Sequence, residues 1–175
     1  MKGRFCLASV LIIAGTAVAS TGLAAPSIAG TESSNLSVSA TVIPNCTISA
    51  FPVTFGNYDP IVANFAADQG GGGTVLTSCT TGSPATITLG QGANPNGGSS
   101  DSTPLRRMAF NSNRLEYFLY QDLSKTTVWG NTPATGLTTT GTGNPSPTIV
   151  YGKIPAGQNV PVGTYTDTVV ATVTF

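Results

Sequence analysis

The sequence contains no histidine, so it lacks the side chain that most often serves as a general base near neutral pH and most often ligates metals. A Ser-His-Asp arrangement is therefore excluded. Charge is scarce as well. Charged residues make up 8% of the chain against a usual share of about 25%, and the seven acidic residues are scattered, so a paired-carboxylate glycosidase site would arise only by coincidence. No basic patch exists to neutralise phosphates, which argues against nucleic acid as a partner. These absences predict a protein that is not an enzyme and needs no cofactor or metal. Also missing is an apolar run of the roughly 20 residues that a spanning helix needs. Beyond residue 29, no helical period is sustained over ten residues.

The opening has the pattern of a secretory signal. Lys2 and Arg4 supply positive charge, residues 5–19 form a short apolar run, and small residues follow at Ala17-Val-Ala19, Gly22-Leu-Ala24 and Ser27-Ile-Ala29. Cleavage is expected after Ala29, leaving residues 30–175 as one exported domain. Cys6 lies ahead of the apolar run, so it is not a lipoprotein acceptor and departs with the signal. Cys46 and Cys79 remain. In an oxidising compartment this even pair reads as one disulfide, which stabilises a fold by roughly 3–4 kcal/mol on the chain-entropy account. A catalytic cysteine would want a histidine, and a metal site would want further soft ligands.

The rest of the chain is rich in Thr, Ser and Gly and reads as short strands between turns. Leu36, Val38, Ala40 and Val42 alternate with polar residues, so residues 36–42 are expected to form the first strand, behind a flexible arm of small polar residues. Ile48 and residues 51–55 suggest short strands broken at Pro52. Residues 69–73, with four consecutive glycines, read as a flexible loop; they lack the Gly-Lys-Ser/Thr ending of a phosphate cradle. Residues 74–79 and 85–89 read as two strands around a Thr-Gly-Ser-Pro turn. After a long polar connection, residues 107–110 and 114–120 resume. The second of these is apolar at both parities, as a central or covered strand would be. Residues 126–129 suggest a short strand or edge, 130–147 a linker or irregular hairpins, and 148–154 a further strand closed by Pro155-Ala-Gly-Gln158. In the last stretch, Val169, Ala171, Val173 and Phe175 share one face and Val170, Thr172 and Thr174 the other. Such a strand, apolar on one side and last in the sequence, must return to its own sheet or borrow a neighbour. Asp167 has the apolar parity, so the buried register is expected to begin after it or a bulge to intervene. The sum is an all-β sandwich.

Asp59, Asp122 and Asp167 read as turn or cap residues bonding local backbone, with calcium binding as the sharper alternative. Asn35-Leu-Ser37 and Asn45-Cys-Thr47 match the glycosylation triplet, which matters only in a host that glycosylates in this way.

Cys46, Phe55-Gly-Asn-Tyr-Asp-Pro60, Ser78-Cys-Thr80, Arg107-Met108, Leu115-x-Tyr-x-Leu-Tyr-x-Asp122, Trp129-Gly130, Tyr151-Gly-Lys-Ile-Pro155, Gly163-x-Tyr-x-Asp167 and the Val-Thr-Phe175 ending occur in an order and spacing that resemble the spore coat protein U domain. That family includes the subunits of archaic chaperone-usher pili. The resemblance implies an incomplete immunoglobulin-like β-sandwich lacking its final strand and completed by donor-strand complementation. It implies as partners a periplasmic chaperone, an outer-membrane usher and neighbouring subunits, and export through the periplasm to a surface pilus that serves adhesion and biofilm formation. Leu36, Val38, Ala40 and Val42 are then donor-strand candidates, within an N-terminal arm of residues 30–43. Val169, Ala171, Val173 and Phe175 are candidates for the C-terminal strand that meets core and chaperone. Two other readings are a sugar-binding tip adhesin, against which a single domain argues, and a non-polymerising secreted or spore coat protein.

Overall fold

A computed structural model of the chain describes residues 29–175. The expected signal, apart from Ala29, lies outside the described residues. Eight strands follow in order: β1 (Cys46–Thr54), β2 (Gln69–Cys79), β3 (Pro84–Leu89), β4 (Arg106–Phe110), β5 (Asn113–Tyr120), β6 (Leu137–Thr140), β7 (Ser146–Ile154) and β8 (Ala171–Thr174). They make a five-stranded sheet, β1-β2-β7-β5-β4, and a three-stranded sheet, β6-β3-β8, with every pairing antiparallel.

Alternation decides what faces inward. Val75, Leu115, Tyr117, Leu119, Val150 and Ile154 from the large sheet meet Ile87 and Leu89 from the small one, with Trp129 between them, in one buried cluster. The Trp129 indole donates to the Ile87 carbonyl at 2.9 Å, which satisfies its only polar atom in the core. β5 lies between β7 and β4, and its second apolar parity is covered in part by Phe118 and Tyr120 packing on one another.

Several sequence expectations are corrected. Residues 69–73 are not a loop but the first half of β2, paired with β7 from Gln69↔Ile154 to Gly73↔Val150. Their glycines answer a steric demand. A Cβ on Gly73 would sit 2.7 Å from Val53 Cγ2, and one on Gly71 would be 2.8 Å from Phe55 Cε1, so both must be bare for the end of β1 and the residue after it to lie against the sheet. Pro52 does not break β1; the strand runs through, with a register shift between Phe51 and Thr54, as proline on an edge strand permits. The Thr-Gly-Ser-Pro turn joins no hairpin. β3 pairs with β6 and β8, so the chain changes sheets there. At residues 126–129 only a single bridge forms, Tyr120↔Val128.

The ends of the sequence differ most from expectation. Residues 36–42 form no strand: among the described residues no ladder begins before Cys46, and Leu36, Val38 and Val42 are all more than 80% exposed. Alternation supplies a face but not a partner, and a strand requires both. At the other end β8 is only four residues long. Residues 163–170 are held instead by a bridge from Thr166 to Ala109 and by the Gly90 N–H donating to the Val170 carbonyl.

Candidate functional site

Among the described residues β1 is paired only with β2, and β8 only with β3, so each carries one main-chain edge open there. Between Ala50–Val53 with Phe55 on one side and Tyr165–Val169 with Ala171 on the other runs a groove of about 440 Å³. Its floor is the core itself: Val75, Leu89, Met108, Tyr117, Leu119 and Val150 all reach it. Tyr117, Tyr165 and Asp167 are the only ionisable side chains among its lining residues. An apolar floor beside the open edge of β1 is suited to an extended segment with an apolar residue at every second position.

Two glycine-enabled contacts shape one wall. Phe55 lies over Gly71 and Gly152, which are opposite one another in the β2–β7 ladder, and meets the Tyr117 ring edge-on at 6.0 Å between centroids. On the opposite wall, Val169, Ala171 and Val173 pack against the core while Val170, Thr172 and Thr174 are exposed. Phe175 departs from that pattern. It lies beyond the last rung, Thr86↔Thr174, and is half exposed.

Asp167 is not a turn residue. It accepts from the Tyr117 hydroxyl at 2.7 Å, from the Ala93 N–H at 2.9 Å and from Asn94 Nδ2 at 3.2 Å. Its inward parity needs no bulge because these donors satisfy the carboxylate where it stands. Burial and then the Asp167 carboxylate push the Tyr117 hydroxyl well above the usual tyrosine range. Across the β4–β5 ladder from Tyr117 stands Arg106, which is fully buried. Its Nε donates to the Gly90 carbonyl at 2.8 Å, and Nη2 donates to the carbonyls of Leu89 at 2.8 Å and Trp129 at 2.7 Å. Burial pushes its pKa down to about 10, partly offset by Tyr117 and Asp167, so it remains a cation at neutral pH. Arg106 thereby ties β4 to the end of β3, and Asp167 ties the groove's C-terminal wall to β5. Neither role was visible in the sequence, although Arg106 shares the parity of Met108, a signal that its side chain points inward.

Cys46 and Cys79 are bonded, with Cα atoms 4.1 Å apart, at the first rung of the β1–β2 ladder. Asp59 accepts from the N–H groups of Ile61 and Val62, and Asp122 from those of Thr126 and Thr127; in both, these donors hold the carboxyl below its ordinary 3.8. Both are local caps, as expected. Among the described residues no cluster of His, Cys, Asp or Glu could hold a metal ion, and no helix is long and apolar enough to cross a membrane.

An all-β sandwich with an open apolar groove and a disulfide at the base of its first strand is an incomplete immunoglobulin-like fold, a class to which structural pilus subunits belong. The Spore Coat Protein U domain matches residues 32–172, and the chain belongs to that family. It is 48% identical over 172 residues to Protein U of Myxococcus xanthus, covering 94% of this chain and 96% of that one. Its fold is similar to a chain in the CsuC-CsuE chaperone-tip adhesion subunit pre-assembly complex from the archaic chaperone-usher Csu pili of Acinetobacter baumannii. There the TM-score is 0.53 at 26% identity, covering 77% of this chain. The match spans 40% of that longer chain.

Proposed function

We propose that this protein is an exported structural subunit that polymerises by strand donation, its groove receiving the alternating segment Leu36, Val38, Ala40 and Val42 of a second copy. The observation that carries this reading is the groove, which brings an apolar floor and open sheet edges together over the core. A donated strand adds main-chain hydrogen bonds along an edge and seats alternate side chains on the floor. Leu36, Val38 and Val42 are exposed in the chain alone, and each gains about 1.5–3 kcal/mol on full burial. Donor and acceptor are different surfaces, so the contact is head-to-tail and need not close, giving a fibre. Before assembly the same groove requires a temporary strand, the service a periplasmic chaperone performs before an outer-membrane usher receives the subunit. Similarity to a chain of a chaperone-subunit complex supports that partner, and adhesion and biofilm formation are the roles such a pilus serves.

The test uses the oxidised chain from Gly30 onward and a peptide spanning residues 35–43. Multimers that resist denaturant, and saturable binding of the peptide to a chain lacking residues 30–42, are expected. Polymerisation of the truncated chain as readily as the intact one would refute strand donation. The family's description as a spore coat domain supports a second reading, a secreted coat protein that does not polymerise. It predicts no multimers and no peptide binding.

A further inference from the structure

We infer that Thr80 is a positioning residue that directs the donor segment away from its own groove and so toward another subunit. This rests on the strand-donation reading. The β1–β2 ladder does not stop at its disulfide rung. The Thr80 N–H donates to the Asn45 carbonyl at 2.9 Å and the Asn45 N–H donates to Thr80 Oγ1 at 3.1 Å. The single hydroxyl proton of Thr80 is left for the carbonyl of Asn45, at 3.3 Å, or of Ile43, at 3.4 Å. Thr80 thus holds Asn45 in line with the β1–β2 ladder, and its hydroxyl lies within reach of Ile43 on the other side of Pro44.

The groove is lined by the opposite half of that strand, from Ala50 onward. Val42 precedes Ala50 by eight positions, roughly 26 Å of extended chain at about 3.3 Å per residue. To enter its own groove, the donor segment would have to fold back to within a strand spacing of β1, about 4.8 Å, by reversing inside residues 43–45. A reversal that short is otherwise permitted, since hairpin loops of two to five residues are common. Here it must give up the Thr80 contact with Ile43 and turn the chain against the bonds that hold Asn45. Without them, insertion of a donor tethered three residues from its own strand, already favoured by effective concentration, is opposed less, and a larger share of subunits caps itself. The side-chain bonds of Thr80 therefore bear on the choice between a sealed monomer and a fibre, apart from any contribution to the fold.

The experiment compares full-length oxidised chains carrying Thr80→Val, which keeps shape and removes the hydroxyl, and Thr80→Ser, which keeps the hydroxyl. Each is refolded over a range of concentrations, and monomer and multimer are separated by size and by resistance to denaturant. Losing the hydroxyl bonds should raise the monomer-to-multimer ratio of Thr80→Val about tenfold at fixed concentration. That monomer should refuse the 35–43 peptide, and accept it once residues 30–42 are deleted. Thr80→Ser should match the unaltered chain. A Thr80→Val chain that polymerises like the unaltered one, while both bind the peptide when truncated, overturns this inference and leaves strand donation standing. If the unaltered chain neither polymerises nor, when truncated, binds the peptide, both fall together. Should Thr80→Val not fold, Thr80→Ala is read in the same way, with formation of the Cys46–Cys79 bond as the folding control.

Discussion

Gly152→Ala adds one methyl group to the floor beneath Phe55. Built on the existing backbone, that Cβ lies 2.6 Å from Phe55 Cε1, 2.7 Å from Cζ and 3.2 Å from Val53 Cγ1, where carbon atoms prefer about 3.5–4.0 Å. The ring must lift by about 1 Å. Gly71 lies beneath it and the Tyr117 ring stands at its edge, so the free direction is outward, into the groove. Overpacking of this kind costs about 1–3 kcal/mol, against which alanine recovers about 0.5–1 kcal/mol of glycine's entropic penalty in a strand. A net loss of about 1–2 kcal/mol is expected, with weaker binding of the 35–43 peptide because the displaced ring occupies space the donor needs. Equilibrium unfolding in urea with the disulfide intact measures the first quantity, and peptide titration the second. The decisive comparison is the double mutant. With Phe55→Ala already in place, Gly152→Ala has no ring to strike and should be neutral or slightly stabilising, a coupling of about 1–3 kcal/mol. Additive effects would refute the claim that Gly152 is bare to make room for Phe55.

Reduction, or Cys46→Ser, should lower stability by roughly 3–4 kcal/mol and cut periplasmic yield; free thiols in the exported protein, seen by intact mass, would defeat the pairing. Val173→Asp places a charge on the core side of β8 and should cost several kcal/mol, whereas Thr172→Asp on the exposed side should be mild; equal losses in urea unfolding would contradict the facing of that strand. Asp59, Asp68, Asp101 and Asp122 all titrate below the ordinary 3.8 in the folded state, so between the two values the unfolded chain binds more protons. Their contribution is present above 3.8 and is lost as pH falls through the folded values. With no histidine, the melting temperature should be flat between about pH 5 and 8 and fall below about pH 4, and a step near pH 6.5 would be inconsistent with this.

Strands were legible where alternation and burial coincide. The inward sets Ala85, Ile87, Leu89 and Leu115, Tyr117, Leu119 follow from period two alone, and the structure buries all six. What escaped is long-range in origin. Four glycines in a row look like a loop because nothing nearby says that Val53 and Phe55 will press on them. Arg106 drew no notice because its three carbonyl partners come from residues 16 to 23 positions away. Asp167 looks like a cap because its strongest donor, Tyr117, is 50 positions distant. The groove itself was foreshadowed as an unsolved pairing problem at the end of the chain. Its walls were not, since one of them is the half of β1 that Pro52 was expected to break. Residues 36–42 resisted assignment for a different reason: the residues that make them alternate are the same whether the partner is their own sheet or a neighbour's.

Placing the arm at one end of β1 and the groove along the other has a mechanical consequence. In a fibre built by strand donation, tension enters each subunit through residue 45 and leaves through the strand held beside Ala50–Phe55. The load therefore runs lengthwise along β1. The main-chain bonds between β1 and the donated strand are then strained together in shear and cannot open one after another like a zip, while the rungs from Cys46↔Cys79 to Phe51↔Thr74 hold β1 to β2. The first rung to feel the pull is covalent, so β1 cannot peel from its loaded end. Forced extension is governed by an unfolding rate and not by equilibrium stability, and on that measure a single disulfide at the entry point of the force protects more than its contribution to folding free energy would suggest.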